Sequence, residues 1–169
     1  MGKVTQQEFQ HDIFISYSRK NKEFAAKLEK ALEDYKPPKD LNVPQRHLNV
    51  FRDENDFTGG EYFQAIDRHL TGSQKLIVLC SPEARQSPYV NDEIRRFVQT
   101  RRSENVISIL VSGKPNNEAV NGQESEMAFP DALCEAMEMP LAVDYLGFNP
   151  KKDKFNKGVF YGGWYRTLA

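Results

Sequence analysis

The sequence predicts an α/β domain, a central parallel sheet of about five strands with helices on both faces. Three observations predict it. Short apolar runs alternate with longer stretches whose apolar residues recur at helical spacing, the pattern of strands joined by helical crossovers. The strand runs are apolar on consecutive residues, as expected where both faces of a parallel sheet are covered. The chain has 169 residues, enough for one sizeable core and little more.

Asp12 to Tyr17 reads as the first, central strand, after a polar leader over residues 1–10. Phe24, Leu28, Leu32 and Tyr35 then recur at helical spacing, and Pro37-Pro38 ends that helix. Leu48 to Phe51 is a short second strand, followed by a charged, glycine-ended loop from Arg52 to Gly60. Phe63, Ile66 and Leu70 give a second helix that stops near Gly72. Lys75 to Cys80 is the third strand, Ser87 to about Arg101 the third helix, and Val106 to Val111 the fourth strand. Residues 113–130 are polar and loop-like, long for a compact domain. A short helix from Asp131 to Met137 and a weak strand from Leu141 to Tyr145 follow. Phe160, Trp164 and Leu168 sit at helical spacing near the end, interrupted by Gly162-Gly163.

Charge and cysteine usage exclude several classes. The 23 basic and 24 acidic side chains leave a net charge of -1, which gives no basic surface for nucleic acid. Cys80 and Cys134 are far apart and lack ligand-like spacing, so no disulfide framework is expected and a reducing, cytoplasmic setting fits. No apolar run approaches membrane-spanning length and no signal-peptide pattern opens the chain. His11, His47 and His69 are scattered, without metal-ligand spacing. Gly59-Gly60 is not a phosphate cradle, since no GxGxxG or P-loop accompanies it.

The most informative residue is Glu93. Ser87 then Pro88 is a helix start, a hydroxyl cap followed by proline in the first turn. Val90, Ile94, Phe97 and Val98 form the buried stripe of that helix. Glu93 falls in its second turn, beside the carboxyl end of a central strand, where open α/β sheets bind ligands. Tyr89 lies one turn earlier on the same side. Asp92 points about 100° away and reads as surface. Ser16, Tyr17, Ser18 and Arg19 end the first strand and begin the loop facing Glu93 across the same edge.

Three segments in register resemble one family. "HDIFISYSRKN" over residues 11–21 is similar to the first box of the TIR (Toll/interleukin-1 receptor and resistance protein) domains. "VFRDENDFTGG" over 50–60 resembles the second box, which leads into the loop that mediates contacts between domains. "LIVLCSPEARQSPYVNDEI" over 76–94 resembles the third strand and the helix after it. The wording is closest to bacterial members, and the glutamate at position 93 is shared with the NAD-cleaving ones. The resemblance implies the flavodoxin-like TIR fold over residues 11–169, in a piece of a longer multidomain protein.

It also implies an NAD⁺ glycohydrolase or cyclase that releases nicotinamide and leaves ADP-ribose or a cyclic isomer, with NAD⁺ as substrate and no cofactor. Glu93 would be the catalytic carboxylate. Tyr89 stands where relatives often carry tryptophan, and either stacks on nicotinamide or ribose or packs at the helix start. Arg19 matches a basic position by the nucleotide pocket, or is a solvated charge. Asp53 matches the acidic residue of the second box and either bridges to Arg19 or orients the loop. Tyr62 matches a loop-end aromatic that approaches the nucleotide, or packs in the core. Tyr17 and Ser18 complete the substrate-binding set. Self-association through the loop 52–60 would gate activity, other TIR domains are partners the resemblance admits, and bacterial antiphage signalling is the expected setting. The alternative is a non-catalytic TIR–TIR signalling module. A receiver-like domain fits poorly, because Tyr17-Ser18-Arg19 and Ser81-Pro82 occupy the positions where receivers need acidic residues.

Overall fold

Strand β1 (His11–Ser16) lies inside a five-stranded sheet of order β2-β1-β3-β4-β5, in a computed structural model that describes residues 9–34, 47–53, 60–101, 103–138 and 140–155. The other strands are β2 (Val50–Arg52), β3 (Ser73–Cys80), β4 (Val106–Leu110) and β5 (Ala142–Asp144), and every pairing is parallel. The helices are α1 (Lys22–Asp34), α2 (Gly60–Thr71), α3 (Pro82–Gln86), α4 (Pro88–Thr100) and α5 (Asp131–Ala136). The chain steps from β1 to β2 on one side and then to β3 on the other. The order therefore reverses at the carboxyl ends of β1 and β3, the position that receives ligands in open α/β sheets.

Strand alternation divides the core in two. Ile13, Ile15, Ile77, Leu79, Ile107 and Ile109 face α1, where Phe24, Ala25, Leu28 and Leu32 meet them. Phe14, Leu76, Val78, Cys80, Val106 and Leu110 face the opposite way, against Tyr62, Ile66 and Leu70 of α2, Val90, Ile94 and Phe97 of α4, and Ala132 and Leu133 of α5. Phe24 is also ringed edge-on by Tyr145, Phe148 and Phe155 at 5.4–5.8 Å between centroids, so the chain after β5 completes the α1 face.

Most elements fall where the sequence places them, with shifted ends. β1 stops at Ser16, one residue before Tyr17, and β3 begins two residues before Lys75. β2 starts at Val50, with buried Leu48 preceding it. The segment 81–86, between the expected third strand and third helix, contains α3, because Ser81 repeats the cap seen at Ser87: its Oγ accepts from Ala84 N–H at 3.0 Å, and Pro82 follows. Residues 113–130 are irregular but pinned. Lys114 N–H donates to Glu126 O (2.8 Å), Ala128 N–H donates to Lys114 O (2.9 Å), and Asn116 brackets the backbone of Phe129 with both ends of its amide. Gly113, at φ +82°, opens this segment where a Cβ would lie 2.5 Å from Glu126 O, so only glycine fits. The helix end at Pro37-Pro38, the tip of the second-box loop and the expected terminal helix lie outside the described residues.

Two polar clusters hold elements that are distant in sequence. Asn91 is buried, donates to the carbonyls of Arg85 (3.0 Å) and Ser87 (2.9 Å), and accepts from Ala132 N–H (2.9 Å), so it clamps α3, α4 and α5 together. At the amino edge of the sheet, Asn49 donates to Gln10 O, which leaves its Oδ1 to accept from His11 Nδ1–H (3.2 Å). His11 Nε2 then accepts from His69 Nδ1–H (3.0 Å), and His69 stacks on Phe51 at 4.1 Å. Burial first, then the neighbouring His11 and Arg68, lower the His69 pKa, with Asp53 opposing.

Asn91→Ala is expected to cost about 2–4 kcal/mol in urea unfolding, since it strands the Ala132 N–H and removes the side-chain bond to the Arg85 carbonyl. Because His69 is held neutral in the fold, stability is present above its ordinary value near 6.5 and lost as pH falls below it. His69→Gln is expected to flatten that loss when melting temperatures at pH 7.5 and 5.5 are compared.

Candidate functional site

Helix α4 builds the site. Ser87 Oγ accepts from Val90 N–H at 3.2 Å and Pro88 occupies the first turn, so the helix starts where the sequence signals it. Val90, Ile94 and Phe97 then point into the core. Glu93 is three residues beyond Val90 and four before Phe97, which sets a carboxyl group inside an apolar stripe. It is only 7% exposed.

The carboxyl group meets Tyr62 of α2, whose hydroxyl donates to Glu93 Oε1. Burial pushes the Glu93 pKa up to about 8. The hydrogen bond from Tyr62 and the nearby Ser16 hydroxyl pull it down, while Asp53 and Asp92 raise it further. Burial is also the largest cause that raises the Tyr62 phenol, followed by the charge of Glu93 and the bond to it. In this arrangement the Glu93–Tyr62 pair is largely a neutral carboxyl beside a neutral phenol at pH 7. Tyr89 packs against the Tyr62 ring at 4.5 Å and 62° and is itself 39% exposed, so two aromatic rings stand between Glu93 and solvent on this side.

The residues singled out from sequence separate into two groups. Glu93, Tyr62 and Tyr89 come together on the α2–α4 face, and Asp53 acts on the first two through its charge. Tyr17 faces the other side, against the α1 core, where its hydroxyl donates to Asp53 O at 2.6 Å and receives Arg52 Nη1 at 3.4 Å. It ties the exit of β1 to the exit of β2. Ser18 precedes the 3-10 turn Arg19–Asn21, its carbonyl accepting from Asn21 N–H at 2.8 Å. Arg19 lines a 430 Å³ cleft with Phe24, Val111, Phe148 and Pro150, and neither Glu93 nor Tyr62 borders that cleft. Asp92 is partly exposed and engaged by Arg96 at 2.8 Å, which also reaches Asp67 of α2 at 3.1 Å.

One contributor escapes a reading of motifs alone, the tie made by Ser81, and another, Ser16, is named in the sequence only as part of the strand exit facing Glu93. Ser81 Oγ donates to Asn21 Oδ1 at 2.9 Å, joining the exits of β3 and β1 across the point where strand order reverses. Ser16, the last residue of β1, shares the face of Phe14 and therefore that of Glu93. Its Oγ lies near enough to influence the carboxyl group, yet no hydrogen bond of proper geometry satisfies it. The signal for Ser16 was strand alternation, which separates it from Tyr17 by a single residue. Among the described residues, no group of three His, Cys, Asp or Glu side chains is arranged to hold a metal ion.

The family model for the TIR domain matches residues 13–132, from β1 into α5. Among solved structures, the chain is similar to the TIR domain of the Toll-related receptor TRR-2 from the lower metazoan Hydra magnipapillata. The two are 18% identical, with a TM-score of 0.48 over 80% of this chain and 85% of that one. No curated protein matches the chain.

The buried carboxyl group predicts an unusual pH dependence of stability. A folded-state pKa near 8 against an ordinary 4.5 means that the fold holds a proton the unfolded chain releases between those values. Stability therefore falls as pH rises through that window. Glu93→Gln keeps the shape and an acceptor for Tyr62 but cannot ionise. It is expected to gain on the wild type as pH rises, by up to about 4 kcal/mol near pH 8, or several degrees in melting temperature. Equal melting profiles for the two proteins from pH 5 to 8 would count against a buried, proton-holding Glu93.

Proposed function

We propose that this chain, which belongs to the TIR domain family, cleaves the nicotinamide–ribose bond of NAD⁺, giving nicotinamide and ADP-ribose or a cyclic isomer. The observation that carries this reading is a glutamate buried at the carboxyl edge of the sheet, beside the reversal of strand order, with its pKa raised by desolvation. Strongly perturbed carboxyl groups at such an edge concentrate at functional sites. Nicotinamide departs as a neutral base, so the ribose needs no general acid and instead develops oxocarbenium character. An ionised Glu93 close to that carbon stabilises the positive charge and hydrogen-bonds the ribose hydroxyls.

The closed arrangement has to change for this chemistry. Tyr62 occupies the carboxyl oxygen that the ribose would meet, and a protonated Glu93 offers no charge to the oxocarbenium ion. In this reading Tyr62 and Tyr89 withdraw from Glu93 and then flank the sugar or nicotinamide. Family members self-associate or bind other TIR domains, and we take self-association through the loop 52–60 as the trigger that opens the site. The setting that suits it is cytoplasmic, antiphage signalling in bacteria. No helix among the described residues is long and apolar enough to cross a membrane.

The same closed carboxyl group favours one second reading, a non-catalytic module that signals through TIR–TIR contacts. Nicotinamide release from NAD⁺, followed across a wide range of protein concentration and pH, separates the two. The enzyme reading expects specific activity to climb with concentration and with pH toward 8, and to fall at least a hundredfold in folded Glu93→Gln and Glu93→Ala. No release from folded wild type at any concentration, with self-association demonstrated, selects the signalling module.

A further inference from the structure

We infer that Ser16 is a positioning residue for Glu93, its hydroxyl being the donor that holds the carboxylate once Tyr62 has left it. The inference deepens the reading of Glu93 as the carboxylate that meets ribose, and rests on it. Ser16 ends the central strand β1 at the reversal of strand order, is 1% exposed, and lies on the face packed by α2 and α4. Its Oγ is buried without a hydrogen-bond partner. Two equally buried serines of the sheet region do not share that condition: Ser73 donates to His69 O at 2.7 Å, and Ser81 is bonded to both Ala84 and Asn21. An unpaired hydroxyl in a packed core is unfavourable where alanine would fit, so it is retained for a bond made in another state.

Glu93 supplies the acceptor for that bond. The strongest charges acting on it, Asp53 after β2 and Asp92 on α4, are both negative and oppose its ionisation, and Tyr62 of α2 is a neutral phenol. Hydrogen-bond donors are what favour the carboxylate here: Tyr62, which is bonded to it, and the Ser16 hydroxyl, which lies near enough to act on it without making a well-formed bond. Tyr62 is the third residue of α2. Ser16 is fixed in a strand paired on both sides, to β2 and β3. When substrate displaces the phenol, Ser16 remains, turns its O–H onto the carboxylate, and keeps the group ionised and aimed at the ribose carbon.

The test compares wild type, Ser16→Ala and Ser16→Thr by two readouts: carbon-13 NMR titration of the Glu93 carboxyl group, assigned with Glu93→Gln, and the pH profile of nicotinamide release. Ser16→Ala is expected to move both midpoints up by about one pH unit and to lower kcat at pH 7 about tenfold with KM little changed. Ser16→Thr restores both. Since the hydroxyl is unpaired, Ser16→Ala does not lower the melting temperature, which distinguishes positioning from a structural role. Midpoints unmoved in a folded Ser16→Ala protein overturn the inference, even where Glu93→Gln abolishes release. A wild type that releases no nicotinamide, but whose carboxyl titration still shifts in Ser16→Ala, overturns the NAD⁺ reading and leaves the Ser16–Glu93 bond standing.

Discussion

A carboxyl group kept dry is the constraint around which this site is arranged. Glu93 lies in the buried stripe of α4 because helical periodicity puts position 93 between Val90 and Phe97. A solvated glutamate there would need the helix to turn, and Asn91 opposes that by fixing α4 to α3 and α5 through one hydrogen bond to each. The carboxyl group is therefore held against the sheet edge, and the protein manages its cost by proton uptake and by the phenol of Tyr62.

The strand exits around this carboxyl group are tied to one another rather than left as free loops. Tyr17 bonds the backbone of Asp53, linking β1 to β2, and Ser81 bonds Asn21, linking β3 to the turn after β1. These ties run along the carboxyl edge, where loops in an open sheet have fewest neighbours. Arg96 adds a bridge between α2 and α4 through Asp67 and Asp92 while lying over the Phe63 ring at 4.9 Å. Tyr62 is thus carried by a helix braced at its middle, with its first turn adjoining the second-box loop.

Much of this was legible in the sequence, for physical reasons that differ by element. The three longer strands and α4 announce themselves because apolar runs and a hydroxyl-proline cap are local signals. The same cap at Ser81-Pro82 produces α3, which went unread because five residues carry no helical periodicity. The pairing of Tyr62 with Glu93 joins residues 31 apart, and only the family resemblance brought both to attention. The His11–His69 pair spans 58 residues and had no such guide. Tyr17 and Arg19 were grouped with Glu93 because the exit of the first strand faces it across the same sheet edge. Alternation at the end of β1 sends Tyr17 to the α1 face, while the Arg19 cleft is walled by the aromatic residues that follow β5.

The magnitudes indicate how little is needed to move such a site. With a pKa near 8 when closed and an ordinary value near 4.5 when open to water, ionisation at pH 7 favours the open arrangement by on the order of 3 kcal/mol. That gain opposes the burial of the Tyr62 ring and its hydrogen bond, which together amount to a few kcal/mol. Two terms of similar size and opposite sign leave a small difference, and a contact between protomers worth one or two kcal/mol is enough to tip it. A strongly apolar residue at position 93 would remove the first term and leave the site closed at any concentration. The glutamate therefore serves twice in this reading: neutral, it keeps the resting site shut with Tyr62, and ionised, it is the group that the opened site presents to the ribose.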